Sequence, residues 1–163
     1  MHKVIIQMKN KTLAREKRQG QSLVEFAMSL LFLMVLLAGV VDIGRAYFTF
    51  IALRDAAQEG ASYGSAFPTF CTQIRERIKS SSDTPVDLGS LDNGDIAVLI
   101  SGVDCDIAVG LGLACTPNEI KVEVTMDDFP ISMPFIGSFL GTQTLTLKAD
   151  VADTIISNPC SGP

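Results

Sequence analysis

The feature that most constrains this chain is an uncharged apolar run of about sixteen residues, Phe26 to Val41, close to its start. As a helix, the run would measure roughly 24 Å at 1.5 Å per residue, which is marginal for a hydrocarbon core of ~30 Å. Apolar residues on both flanks bring the segment close to a spanning length. We therefore predict a transmembrane helix over residues 21–43, with Glu25 and Asp42 near the two interfaces.

The charges are distributed unevenly around this run. Residues 1–20 hold six Lys or Arg and one Glu, a formal +5, whereas the remainder holds seven and seventeen, a formal −10. A basic flank marks the cytoplasmic side of a span, which predicts a leader in the cytoplasm and an exported domain over 44–163. The alternative is a solvated basic tail. Because an acidic domain repels phosphate backbones, nucleic acid is not an expected partner.

A cleavable secretory signal is a weaker explanation of the apolar run. Such a signal needs a small-x-small site after the run, and Leu36 occupies the position two before Ala38. Apolar residues at spacings of three or four also continue well past the run, which is typical of an amphipathic helix. We predict one helix from about Ser22 to Phe67, ended by Pro68.

The far half of this helix is rich in small residues. Small side chains permit close backbone approach between helices, or between a helix and a sheet. They serve either contacts between subunits or, more simply, packing against the chain's own domain. The residues concerned are Ala52, Ala56, Ala57, Gly60, Ala61 and Gly64.

The chain beyond Pro68 changes from helical to strand periodicity. A short amphipathic helix carries Cys71, Ile74 and Ile78 on one face, and a polar loop follows. Three strands are predicted from apolar or alternating residues, at Ile96 to Ile100, 120–126 and 145–151. Between the last two lies an apolar connection with its own hydrophobic plug of Phe135, Ile136, Phe139 and Leu140. The fold class is therefore α+β: a long N-terminal helix, membrane-embedded in its first half and amphipathic in its second, packed on a small antiparallel sheet.

All four cysteines lie on the exported side of the apolar run. An even number in an oxidising compartment favours disulfides. Cys105 and Cys115 flank a glycine-containing loop between predicted strands, so a local bridge is the leading pairing. That pairing leaves Cys71 with Cys160. Zinc is the rival explanation, but the sequence has no CxxC and no His beyond His2.

The sequence offers little for catalysis. His2 lies on the basic leader, so a nucleophile–His arrangement in the exported part is excluded. No phosphate-binding glycine motif is present, and we expect no enzyme activity and no cofactor. An aspartate cluster around Asn93-Gly94, with Asp104 and Asp106, has oxygen ligands suited to calcium. Asn-Gly is, however, first a turn signal, and aspartates commonly flank turns.

Glu25 lies at the start of the apolar helix, where a carboxylate is costly and is a functional residue by default. The alternative is a side chain that reaches the headgroups. The sequence resembles the TadE-like family, pilin-like proteins of the tight-adherence (Flp pilus) system, over about residues 18–66. The motifs that carry the resemblance are Gln19-Gly20-Gln21-Ser22-Leu23-Val24-Glu25-Phe26-Ala27, Val41-Asp42-Ile43-Gly44-Arg45-Ala46-Tyr47-Phe48 and Ala56-Ala57-Gln58-Glu59-Gly60-Ala61.

The resemblance implies a pilin-like fold and a specific processing site. A prepilin peptidase would cut between Gly20 and Gln21, which makes Glu25 the fifth residue of the mature chain. Glu25 and Phe26 would then serve assembly with other pilin-like subunits and the pilus assembly platform. The chain departs from relatives in presenting Gln21 where type IVa pilins have Phe, and Phe26 where small Flp pilins have Tyr. Its greater length favours a minor, pseudopilin role in the bacterial cytoplasmic membrane; the alternative is an unprocessed, single-pass anchored binding domain.

Overall fold

The computed structural model describes residues 2–82, 86–133 and 141–157, with side chains from Gly20 onward. Helix α1 runs unbroken over His2–Ala66 and ends two residues before Pro68. The long helix is confirmed, but the predicted start near Ser22 is wrong. The leader contains no proline and is rich in Lys, Arg and Gln, which are good helix formers, so nothing delays the start to Ser22.

The rest of the chain forms the predicted helix and strands with two additions. The sheet is antiparallel, with strand order β2-β1-β3-β4. The short strand β2 and the short helix α3 were not predicted. The elements are α2 (Cys71–Ser80), 3-10 turns at Leu88–Ser90 and Asn93–Asp95, β1 (Ile96–Ile100), β2 (Val103–Asp104), α3 (Cys105–Gly110), β3 (Glu119–Pro130) and β4 (Thr144–Thr154).

The sheet follows the alternation in the sequence. On β3, Ile120, Val122 and Val124 are fully buried while the residues between them are more exposed. Strands β1 and β2 are joined by Ser101 and Gly102, whose φ angles of 52° and 80° suit a two-residue hairpin turn. The α+β class is confirmed. The predicted apolar plug between β3 and β4 lies outside the described residues.

The described residues divide into two compact units. One comprises α1 up to Asp42 with residues 132 and 133, and the other comprises residues 43–131 with the described chain from 141 on. The second unit holds the hydrophobic core, which combines the far half of α1, α2 and the inner face of the sheet. The predicted domain limits, 1–20, 21–43 and 44–163, concern membrane topology and remain a prediction.

The small residues of α1 allow it to approach α2 and β3 closely. A Cβ added at Gly60 would lie 2.6 Å from Cγ1 of Ile78 on α2, and one added at Gly64 would lie 2.5 Å from Cδ1 of Ile120 on β3. Both distances are shorter than atoms tolerate. Ala56, Ala57 and Ala61 are also buried, at 1% exposure or less. Packing against the chain's own domain therefore accounts for these small residues.

Gly60→Ala is expected to lower the stability of the domain. Overpacking costs ~1–3 kcal/mol, whereas Ala gains only ~1 kcal/mol over Gly in a helix, so we expect a net loss of up to about 2 kcal/mol. Gly44→Ala is the matched control, since an added Cβ there meets nothing within 4 Å. Calorimetry of the full chain in detergent should show a lower Tm for the first variant and an unchanged or higher Tm for the second. Equal shifts would contradict the close approach.

The structure corrects the disulfide pairing. Cys71 is bonded to Cys105, with their Cα atoms 5.8 Å apart. The predicted Cys105–Cys115 and Cys71–Cys160 bridges are both wrong, because each would need a cysteine of the observed bond. Cys115 is also disulfide-bonded, and Cys160 lies outside the described residues. The presumed loop after Cys105 is helix α3, and the first residues of α2 and α3 meet at the bridge.

Non-reducing peptide mapping should recover a cross-link between Cys71 and Cys105. Trypsin alone leaves Cys105 and Cys115 in one peptide, because the chain has no Lys or Arg between residues 80 and 120. Additional cleavage before Asp106 separates them, so the observed and the local pairing give different masses. The linked mass should disappear on reduction. A Cys105–Cys115 peptide would contradict the structure.

Candidate functional site

The first half of α1 exposes a long apolar surface. Its large apolar side chains from Leu23 to Ile43, except Val35, are about half to three-quarters exposed. The stretch from Gly20 on has a mean hydropathy of 2.5 over its most apolar window, of which only 6% is buried. By length and composition, α1 can cross a membrane, which is consistent with a single-pass anchor. An apolar surface of this extent needs a cover of lipid or protein.

Gly20 and Gln21 lie on α1, and both are exposed. A Cβ added at Gly20 would meet nothing within 4 Å. A glycine inside a helix costs roughly 0.5–1 kcal/mol relative to alanine. Gly64 gains close packing in return, but the described structure offers no such return at Gly20. Gly44 on the same helix is equally open, so the packing of the described residues requires a glycine at neither position.

Glu25 and Phe26 follow on the same helix, and both are exposed, Phe26 by 67%. Gln21 and Glu25 are four residues apart, so they share one helix face with Cβ atoms ≈ 5–6 Å apart. Phe26 lies about 100° further round the helix, on a different face. The structure thus places the predicted cleavage site one turn before the predicted assembly carboxylate, with both accessible to another molecule.

The environment of Asp42 is not indicated by any local sequence pattern. Asp42 is only 7% exposed, and one oxygen of its carboxylate accepts a hydrogen bond of 2.6 Å from the backbone N–H of Met133. Burying a carboxylate is costly unless it is hydrogen-bonded, and this N–H offsets part of that cost. The donor lies 91 residues away in sequence, so local periodicity carries no signal for the contact.

The aspartates considered for calcium have structural partners. Arg75 on α2 pairs with Asp106 at 2.9 Å and with Asp104 at 3.5 Å, beside the disulfide. Asp104 also caps α3 by accepting the N–H of Asp106, and Asp95 accepts the N–H of Asp92. Within the described ranges, no group of three or more His, Cys, Asp or Glu side chains is placed to hold a metal. These carboxylates therefore form ion pairs and backbone hydrogen bonds within the domain.

Four charged side chains on β3 and β4 form a second polar cluster. Lys121 lies 2.8 Å from Glu123 and 3.3 Å from Asp150, and Lys148 lies 2.6 Å from Glu123. Hydrogen bonds from Lys121 and Lys148 lower the pKa of the Glu123 carboxyl. Hydrogen bonds to Glu123 and Asp150 raise the pKa of the Lys121 ammonium. Each charge is therefore stabilised by its neighbours on the surface of the sheet.

Comparison with known families finds one match, in the first part of the chain. Residues 20–62 match the family model described as TadE-like protein. The resemblance indicated by the sequence is therefore confirmed over these residues. The matched segment lies entirely on α1 and includes Gly20, Glu25 and Asp42, whereas α2 and the sheet fall outside it. No curated protein and no solved structure matches the chain.

Proposed function

We propose that this chain is a membrane-anchored, pilin-like subunit that takes part in assembling a tight-adherence (Flp) pilus or a related secretion filament. One observation supports this above all: the TadE-like match covers the helix that exposes an apolar surface, an accessible Gly20 and the exposed Glu25. The chain carries a folded domain of its own after the matched segment, which favours a minor, pseudopilin role. This role is structural rather than enzymatic.

The proposed topology follows from the charges. The basic leader, residues 1–20, stays in the cytoplasm, and the α+β domain lies outside the cytoplasmic membrane. A prepilin peptidase removes the leader by cutting between Gly20 and Gln21. A glycine without a packing contact in its own chain suits a peptidase that needs a compact backbone beside the scissile bond.

The proposed role of Glu25 is to set the register between subunits. Cleavage creates an α-amine at Gln21, and in a stack of parallel helices this amine on one chain neutralises Glu25 on its neighbour. Pairing in a low-dielectric environment offsets the cost of desolvating both groups. That cost is up to ~2.5–3.5 kcal/mol for a carboxylate at a helix centre in a membrane and less near an interface, where Glu25 is predicted to lie.

The packing of α1 limits where such contacts form. The face that carries Gly60 and Gly64 is occupied by α2 and β3, so it is closed to a neighbouring subunit. The exposed apolar surface from Leu23 to Ile43 remains available, first to lipid and then to neighbouring helices. The helix can pass from lipid to contact with neighbouring helices while the domain stays folded, because neither contact requires the domain to unfold.

Gly20→Val should block processing. Added bulk beside the scissile bond excludes the peptidase, so the variant should keep its full mass while the wild type loses residues 1–20. Intact-mass measurement of protein extracted from membranes of a host with its prepilin peptidase gives the answer. Gly44→Val is the matched control, since it makes the same change on the same helix and should be processed normally. A wild-type chain that begins at Met1 would favour the unprocessed, anchored binding domain.

Glu25→Ala should abolish assembly without unfolding the domain. Glu25 is exposed and belongs to the unit that does not contain the sheet, so we expect a change in stability within about 0.5 kcal/mol. Pilus formation and co-purification with other pilin-like subunits should be lost, because the neighbour's amine has no partner.

Glu25→Asp is the matched control for that experiment, since it keeps the charge and should retain partial assembly. Protease resistance of the exported domain serves as the folding readout for all variants. Normal pili in the Glu25→Ala strain would defeat the assembly role, and an unfolded domain would show that Glu25 is structural.

A further inference from the structure

One face of the apolar run is covered, although the rest is exposed. Val35, Ala38, Gly39 and Asp42 lie three or four residues apart, so they share a helix face, and all are less exposed than the residues around them. Met133, which follows β3, is a described residue that contacts this face. A segment far along the chain therefore returns to the helix at this point.

Met133 makes two contacts there. Its backbone N–H donates a hydrogen bond of 2.6 Å to the Asp42 carboxylate. Its methyl carbon, Cε, lies 3.2 Å from where a Cβ on Gly39 would be, so the absence of a side chain at Gly39 makes room for it. Gly39 is two residues inside the apolar run that ends at Val41, and the thioether side chain thus lies alongside the run itself.

The predicted span, residues 21–43, gives the depth of this contact. Gly39 lies four residues before the end of that span, about 6 Å along the helix at 1.5 Å per residue, and Asp42 lies next to the end. In the proposed topology, Met133 therefore meets the helix in the outer part of a bilayer that measures ~40–45 Å with both interfaces.

We propose that Met133 contacts lipid, so that the chain just after β3 makes a second membrane contact, fixed to α1 by Asp42. A carboxylate at the edge of the hydrocarbon core needs a hydrogen-bond donor, because little water reaches it there. The Met133 N–H supplies that donor, and its own partner requirement is met by the same bond. The ligand is the interfacial and acyl region of a phospholipid bilayer. The inference rests on the proposed membrane anchor.

Tryptophan fluorescence tests the inference directly, because the chain contains no Trp. Met133→Trp in the full chain provides a single fluorophore, reconstituted into phosphatidylcholine–phosphatidylglycerol vesicles. We expect blue-shifted emission, with several-fold stronger quenching by doxyl- or bromo-labelled lipids than by aqueous acrylamide. Quenching dominated by acrylamide would overturn the inference.

Two further single-Trp variants serve as the lipid-exposed and water-exposed controls. Phe32→Trp lies in the middle of the apolar run and should be quenched by lipid. Ile156→Trp should be quenched by acrylamide, since Ile156 is 73% exposed and its N–H bonds to Ser65, near the far end of α1. Lipid quenching at Phe32→Trp but not at Met133→Trp defeats this inference alone. Failure at Phe32→Trp as well defeats the proposed anchor and this inference with it.

The role of Asp42 is tested in the Met133→Trp background. Asp42→Ala removes the acceptor and should reduce lipid quenching of the Trp, whereas Asp42→Asn keeps an acceptor oxygen and should retain it. Equal quenching in both would show that Asp42 does not hold the connection in place. A photoactivatable phospholipid should also cross-link the unaltered chain within its tryptic peptide 122–148, which checks that the larger Trp side chain has not created the contact. Absence of that cross-link, with labelling of the apolar run present, would overturn the inference.

Discussion

The close approach of α1 to α2 and β3 is the contact on which the rest of the structure depends. At Gly60 and Gly64 the helix has no Cβ, and isoleucine side chains of α2 and β3 occupy the space. The approach fixes which face of the helix is turned inward, and the buried alanines follow from the same geometry. Because one face is committed to the chain's own domain, any lipid or subunit contact falls on the other faces and on the more N-terminal turns.

The disulfide and its neighbouring ion pairs join α2 to the start of α3. Cys71 begins α2 and Cys105 begins α3, and Arg75, about one turn further on, holds the two aspartates that flank Cys105. A small domain has a limited core, and a bridge contributes ~2–4 kcal/mol by restricting the unfolded chain. Helix α2 is therefore held to α3 by a covalent bond and by ion pairs, and to α1 by the packing of its isoleucines. These three constraints act together on the same short helix.

The sequence predicted the elements with strong periodicity and missed what depends on the tertiary arrangement. The alternating strands and the face of α2 with Ile74 and Ile78 are local patterns, and both are confirmed. The Cys71–Cys105 pairing depends on α3, for which the available signal is the aspartate cap at Asp104, and aspartates flank turns as well. The Asp42–Met133 bond joins residues 91 apart, and no periodicity encodes it. The leader's helix was missed because no capping residue or breaker marks its limits.

The two carboxylates near the ends of the apolar run lie in different environments. Asp42 is buried and accepts a hydrogen bond from the backbone N–H of Met133. Glu25 is exposed on the first half of α1. If the leader is removed, the amine of Gln21 lies four residues from Glu25 on the same helix, and pairing within one chain would satisfy the charge without ordering any neighbours. An axial offset of about 6 Å, the rise of four residues at 1.5 Å each, brings the neighbour's amine level with Glu25 and so favours pairing between chains. The offset between neighbouring helices in an assembled filament therefore distinguishes a register-setting Glu25 from one that is only neutralised.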